Sequence, residues 1–181
     1  MHQAKDFADP QRVLAQIGLE PGMVLADFGA GSGAYALAAA RILGESGRVY
    51  AIDVQKDLLR RISNEAAHRR LKNVDVIWAD LEIPHASKLA DHSVDVVVIS
   101  NLLFQLVDKI PPLREAHRIL KKHGRLLLID WSDSFRHLGP PPEDVVTESA
   151  AQAFAERARF AIHKSVSAGV HHYGLLLKPI H

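Results

Sequence analysis

Apolar runs of strand type alternate along the chain with segments of helical period. Val24 to Phe28 reads as a first strand, and Ala34 to Leu43 as a first helix ended by Gly44. Gly47 to Asp53 is a second strand. Lys56 to His68 carries Leu58, Leu59, Ile62 and Ala66 at helical spacing and is a second helix. Val74 to Trp78 is a third strand. Val94 to Ser100 is a fourth, and its unbroken run Val96-Val97-Val98-Ile99 suits a strand buried on both faces. Pro111-Pro112 opens a helix with Leu113, Ala116, Ile119 and Leu120 on one side, and Gly124 is expected to stop it before a fifth strand, Leu126 to Ile129. Gly139-Pro140-Pro141-Pro142 breaks the pattern as a surface loop. Thr147 to Arg157 reads as a last helix. Phe160 to Ser165 and His171 to Leu177 read as two strands joined through Ser167-Ala168-Gly169, short enough for an antiparallel hairpin. This alternation predicts an α/β fold: a doubly wound sheet of seven strands between helical layers, with one antiparallel member at or near an edge.

Composition narrows the class without naming a partner. The chain has 181 residues, enough for one domain spanning 1–181, and its net charge of +1 gives no global field toward nucleic acid or an acidic membrane. It contains no cysteine, which removes disulfides, thiolate metal sites and cysteine nucleophiles. The start is polar, and no apolar run approaches the roughly 18 residues of a membrane span. The expectation is a cytoplasmic protein without membrane association, monomer and homodimer both open. The basic group Arg60, Arg61, Arg69, Arg70 and Lys72 around the second helix reads as a solvated face, so no clear nucleic-acid signature is present.

The chemistry is concentrated after the first strand. Gly29, Gly31 and Gly33 alternate in the turn, where glycine permits positive φ and close approach of a ligand to the backbone. The following helix offers unpaired N–H groups. Two cofactors compete. Gly29-x-Gly31-x-x-Ala34 formally fits the dinucleotide fingerprint. Asp27, two residues before the first glycine, would repel a pyrophosphate, yet it suits the ammonium of S-adenosylmethionine, directly or through water. Asp53, ending the second strand, can hold ribose hydroxyls in either cofactor. Asp80 follows the third strand, where it can accept from an adenine amino group.

At these residues the chain resembles the class I S-adenosylmethionine-dependent methyltransferases, from about Phe7 onward. Asp27-Phe28-Gly29-Ala30-Gly31-Ser32-Gly33 is similar to the acidic glycine-rich first motif, Val49 to Asp53 to the second and Ala79-Asp80-Leu81 to the third. Ser93 to Asn101 resembles the fourth. Glu115 to Leu126 and His172-Tyr173-Gly174-Leu175-Leu176 resemble the ubiquinone/menaquinone-biosynthesis type branch. The resemblance implies a Rossmann-like seven-stranded fold with a reversed last strand and S-adenosyl-L-methionine as cofactor. It implies a donor site at Asp27, Gly29, Ala30, Gly31, Gly33, Asp53, Val54, Asp80, Leu81 and Asn101. The absence of cysteine argues against the arsenite-methylating relatives.

Methyl transfer from a sulfonium needs alignment and exclusion of water, with a base only for a protonated acceptor. No universal catalytic residue is expected. The candidates are Asn101, as an orienting group or a strand-end cap; Asp130, as a base or a loop acid; and His172, as a base on the last strand. Trp131 either walls a flat substrate or packs. His171 and His172 point to opposite faces of a strand, so no metal site is expected. Asn101 is followed by Leu102-Leu103-Phe104, not by the Pro-Pro-Tyr of amide- and base-nitrogen methyltransferases. A small-molecule acceptor is favoured. An RNA or protein acceptor and a non-catalytic binding module are the alternatives.

Overall fold

The computed structural model describes residues 8–134 and 139–181; the polar start and Phe7 lie outside them. Seven strands form one sheet in the order β3-β2-β1-β4-β5-β7-β6. They are β1 (Val24–Phe28), β2 (Arg48–Asp53), β3 (Val74–Trp78), β4 (Val94–Ser100), β5 (Leu120–Trp131), β6 (Phe160–Ser165) and β7 (His172–Pro179). The helices are α1 (Pro10–Leu14), α2 (Ala34–Leu43), α3 (Lys56–His68), α4 (Ile110–Ile119) and α5 (Glu148–Arg157). Strands β1 to β5 are parallel. Strand β7 runs against both neighbours, β5 and β6, so the reversed strand expected from the hairpin lies one place in from the edge.

Side chains alternate between the two faces of this sheet. Leu25, Val49, Ala51, Val96, Val98, Leu127 and Ile129 pack with α1, α2 and α3. Ala26, Phe28, Ile52, Val97, Ile99, Leu126 and Leu128 pack with α4 and α5. The central strands are therefore apolar on both sides, which is why β4 shows no polar alternation. The helices bury single stripes; in α3 these are Leu59, Ile62 and Ala66. Thr147 caps α5, its hydroxyl accepting from Ala150 N–H at 3.2 Å.

Two expectations are corrected. Helix α4 ends at Ile119, not at Gly124: Leu120 has already turned extended, with φ −68° and ψ 133°. The fifth strand accordingly starts at Leu120. Its register jumps between the pairs Val94–Leu120 and Val96–Arg125, so residues 121–124 bulge out of the ladder. Lys121 pairs with Asp95 at 2.8 Å across this bulge, and a Cβ on Gly124 would lie 2.9 Å from the Lys121 carbonyl. The glycine permits the bulge and does not terminate the helix. The five-residue α1, absent from the periodicity reading, starts at Pro10 with Asp9 capping Gln11 N–H at 3.0 Å.

Candidate functional site

At the carboxyl ends of β1, β2, β3 and β4 lies a cleft of about 120 Å³. Its walls include Gly29, Gly31, Asp53, Val54, Asp80 and Leu81, together with Leu102, Gln105 and Leu106 from beyond β4. This rim is where open α/β sheets place ligands. The enclosed volume is below the ~300 Å³ at which small-molecule pockets begin, so a nucleoside-sized ligand lies partly across the open rim.

The turn after β1 is built by three glycines, all left-handed, with φ of 70°, 53° and 78° at Gly29, Gly31 and Gly33. Each is required for a different reason. A Cβ on Gly29 would meet Leu102 Cδ1 at 2.8 Å, and one on Gly33 would meet Ile62 Cγ1 at 2.7 Å. A Cβ on Gly31 would meet nothing closer than 3.8 Å, so the space above that peptide is open. Asp53 fixes the same peptide: its Oδ2 accepts from Gly31 N–H at 2.9 Å and its Oδ1 from Gln55 N–H at 2.8 Å. A carboxylate has further lone pairs, so these bonds leave acceptor capacity for ligand hydroxyls. Asp80 Oδ1 accepts from Glu82 N–H at 3.0 Å, and the adjoining Leu81 is buried. Val54 is 58% exposed beside them.

Asp27 is buried beneath the turn. Its Oδ2 accepts from Ala36 N–H, in the first turn of α2, at 3.0 Å. Burial pushes its carboxyl up to about 7; the Ala36 bond opposes this, and the neighbouring Asp53 adds to it. This arrangement discriminates between ligands. The helix N-terminus that a pyrophosphate would use is engaged by a carboxylate, and a second carboxylate faces the turn. The donor set suits a cation with hydroxyls, not a phosphate.

Asn101 follows β4 in the left-handed region, with φ 54°. Its N–H donates to Ile129 O at 2.9 Å, and its buried Oδ1 has no partner among the described residues. An orphaned buried acceptor beside the rim is suited to a ligand ammonium. Asp130 is fully buried on the opposite face of the sheet from Asp27. Its oxygens accept from Leu103 N–H and Trp131 N–H, each at 2.9 Å, and burial pushes its pKa up to about 6. It anchors the 3₁₀ turn Leu103–Gln105 that continues into the cleft wall, the loop-acid alternative of the sequence reading. Trp131 is also buried, packed against the His172 ring at 4.2 Å and against Gly139. Burial and the neighbouring His171 depress His172 to about 4, which leaves its imidazole neutral at pH 7. His171 faces Asp133 at 3.1 Å, an acidic neighbour the sequence reading did not find. Among the described residues, no cluster of three or more His, Asp or Glu side chains is placed to hold a metal ion.

Leu102, Gln105 and Leu106 form a wall that sequence reasoning missed. Only the apolar run directly after Asn101 pointed to them. Tyr35 was missed as well. It is buried on α2, where burial pushes its hydroxyl pKa upward, and the hydroxyl has no hydrogen-bond partner among the described residues.

The methyltransferase domain family matches residues 19–169. The chain belongs to this family. A crystal structure of an S-adenosylmethionine-dependent methyltransferase from Aquifex aeolicus superimposes with a TM-score of 0.87 at 31% identity, covering 99% of this chain and 94% of that one. The ubiquinone/menaquinone biosynthesis C-methyltransferase UbiE of Haemophilus ducreyi is 31% identical over 119 residues, 64% of this chain and 44% of that protein. The chain thus matches less than half the length of this curated relative. The [4+2]-cyclase SpnF shares the fold, with a TM-score of 0.75 at 18% identity over 94% of this chain and 78% of that one. Among the described residues no helix is long and apolar enough to cross a membrane.

Proposed function

We propose that this methyltransferase moves the methyl group of S-adenosylmethionine to a carbon atom of a small-molecule acceptor. The observation that carries the donor site is the open peptide at Gly31, held by Asp53 and backed by a helix N-terminus that Asp27 already caps. When bound, the donor supplies a methyl group activated on a sulfonium. The chain's own residues bind and orient it. Asp53 accepts from the ribose hydroxyls while holding Gly31 and Gln55 in place. Asp27 and the Asn101 amide oxygen face the amino-acid end, and Asp80 with Leu81 borders the adenine. Gly29, Ala30 and Gly33 shape the turn, and Val54 covers the sugar edge.

Catalysis then rests on alignment and exclusion of water. The Leu102–Leu106 wall supplies the apolar side, and Asp130 positions it through Leu103 N–H. With both oxygens on backbone donors, Asp130 is a positioning residue and not the base. His172 stays neutral against Trp131 at the neighbouring rim. Carbon as the receiving atom is supported by the C-methyltransferase relatives and by the absence of Pro-Pro-Tyr after Asn101.

The test is methyl transfer from isotope-labelled donor into a cell extract fractionated by size. Label should enter the low-mass fraction as a new carbon-bound methyl resonance. Label confined to RNA or protein, or a methyl on nitrogen or oxygen, overturns the acceptor assignment. No transfer overturns the activity. Asp53→Ala should weaken donor binding by about 1–3 kcal/mol, roughly fivefold to 150-fold. Unchanged affinity excludes the ribose role.

A further inference from the structure

A second cavity, about 470 Å³, lies at the opposite rim of the sheet. His92 N–H donates to Arg118 O at 3.1 Å and Ser93 N–H to Ile119 O at 2.8 Å, just ahead of Val94, so this site flanks the amino ends of β4 and β5. Nothing bound there can meet a methyl group held at the carboxyl ends. We propose that this cavity binds a small ligand carrying two or more phosphate groups.

Four arginines are among its lining residues, Arg114, Arg118, Arg157 and Arg159, against one acid, Asp91. Arg118 is compensated: it pairs with Asp91 and, at 2.7 Å, with the buried Glu115. Arg114, Arg157 and Arg159 have no ion pair among the described residues. Helix polarity explains basic residues in a last turn, as with Arg118 and Arg157. It does not explain Arg114, in the middle of α4, or Arg159, beyond the end of α5. Arg159 holds a left-handed backbone, φ 66°, while its carbonyl accepts from Ile180 N–H at 2.8 Å, and the residue lines the same cavity.

Histidines stand beside the arginines. His117 Nε2 lies 3.0 Å from Ile180 O, and its ring sits 5.6 Å from that of His181. Burial holds His117 below its ordinary value; the bond to the Ile180 carbonyl opposes this, and His181, Arg159 and His92 add to the lowering. Arg114, Arg157 and Arg159 are exposed and lack an ion pair among the described residues, so their charges are available to an anion. Guanidinium forks match phosphate oxygens. Each phosphate carries about −1.5 to −2 charges, so two phosphates are needed to balance three arginines. The volume is that of a small-molecule pocket.

Calorimetry of the full chain with inorganic pyrophosphate tests this, with ADP titrated in the presence of excess S-adenosylmethionine so that its adenine cannot report on the donor cleft. Pyrophosphate should bind at near-physiological salt. ADP binding tighter than pyrophosphate assigns a nucleotide; equal binding assigns recognition of phosphate alone. Arg159→Gly keeps the left-handed turn and should weaken binding by about tenfold, as should Arg114→Ala, while Arg61→Ala on α3 should leave it unchanged. No heat with millimolar pyrophosphate overturns the proposal. So does an equal loss with Arg61→Ala, or binding of a single-stranded RNA oligomer alone.

Discussion

Asp27 serves two purposes within one side chain. It caps Ala36 N–H, and it waits, with its carboxyl raised to about 7, beside the proposed cation site. A bound ammonium or sulfonium favours the carboxylate, so donor binding lowers this pKa and releases the proton. The sign follows. At pH 6 the donor-free group is mostly protonated, and binding should release about one proton; by pH 8 the group is already ionised and release should approach zero. Donor affinity accordingly rises as pH climbs through about 7. Calorimetry at pH 6 in buffers of different ionisation enthalpy measures the release, and heats independent of buffer contradict the placement. That Gly31 and Asp53 line one cleft, with Asp27 beneath the turn, was legible in the sequence because an acid, a glycine turn and a strand-end acid fall in fixed order. Leu102, Gln105 and Tyr35 were not, because nothing local distinguishes a cleft wall or a buried hydroxyl from ordinary packing.

At the scale of elements, the turn after β1 separates ligand recognition from packing. Gly31→Val should fold, at a cost of about 1–2 kcal/mol for the left-handed residue, and lose donor binding. Gly33→Val should lose stability first, because its Cβ collides with Ile62 on α3. Thermal unfolding and donor titration of both variants read the two effects apart. If Gly31→Val binds the donor fully, the ligand does not approach that peptide. Strands β1 to β4 were legible to within a residue because each is a short segment dominated by Val, Ile, Leu, Phe, Tyr, Trp and Ala, too short for a helical period. The end of α4 was misplaced because Leu120 continues the helical stripe by composition while its backbone has joined β5. A bulge stabilised by Lys121 and a tertiary neighbour, Asp95, leaves no periodic trace. The five residues of α1 are too few to establish a period.

In the whole molecule, the sheet order places β7 between β5 and β6. Strands β5 and β7 pair over six positions, from Leu126–Leu177 to Trp131–His172. A chain cut after Ser165 keeps every helix and six strands, yet it should show no cooperative unfolding transition by circular dichroism, since β5 loses a ladder and β6 its sole partner among the described residues. A sharp transition in that fragment would show that β1 to β5 close without it. The same order matters as the protein is made. During translation the parallel half can assemble before β7 has emerged, but the hydrogen-bonding edge of β5 then stands bare. That edge is a template for any other extended chain until the last strand threads in beside it. Any delay before β7 emerges is therefore the moment of greatest exposure to aggregation, and binding by a chaperone at that interval would shield β5 in place of β7.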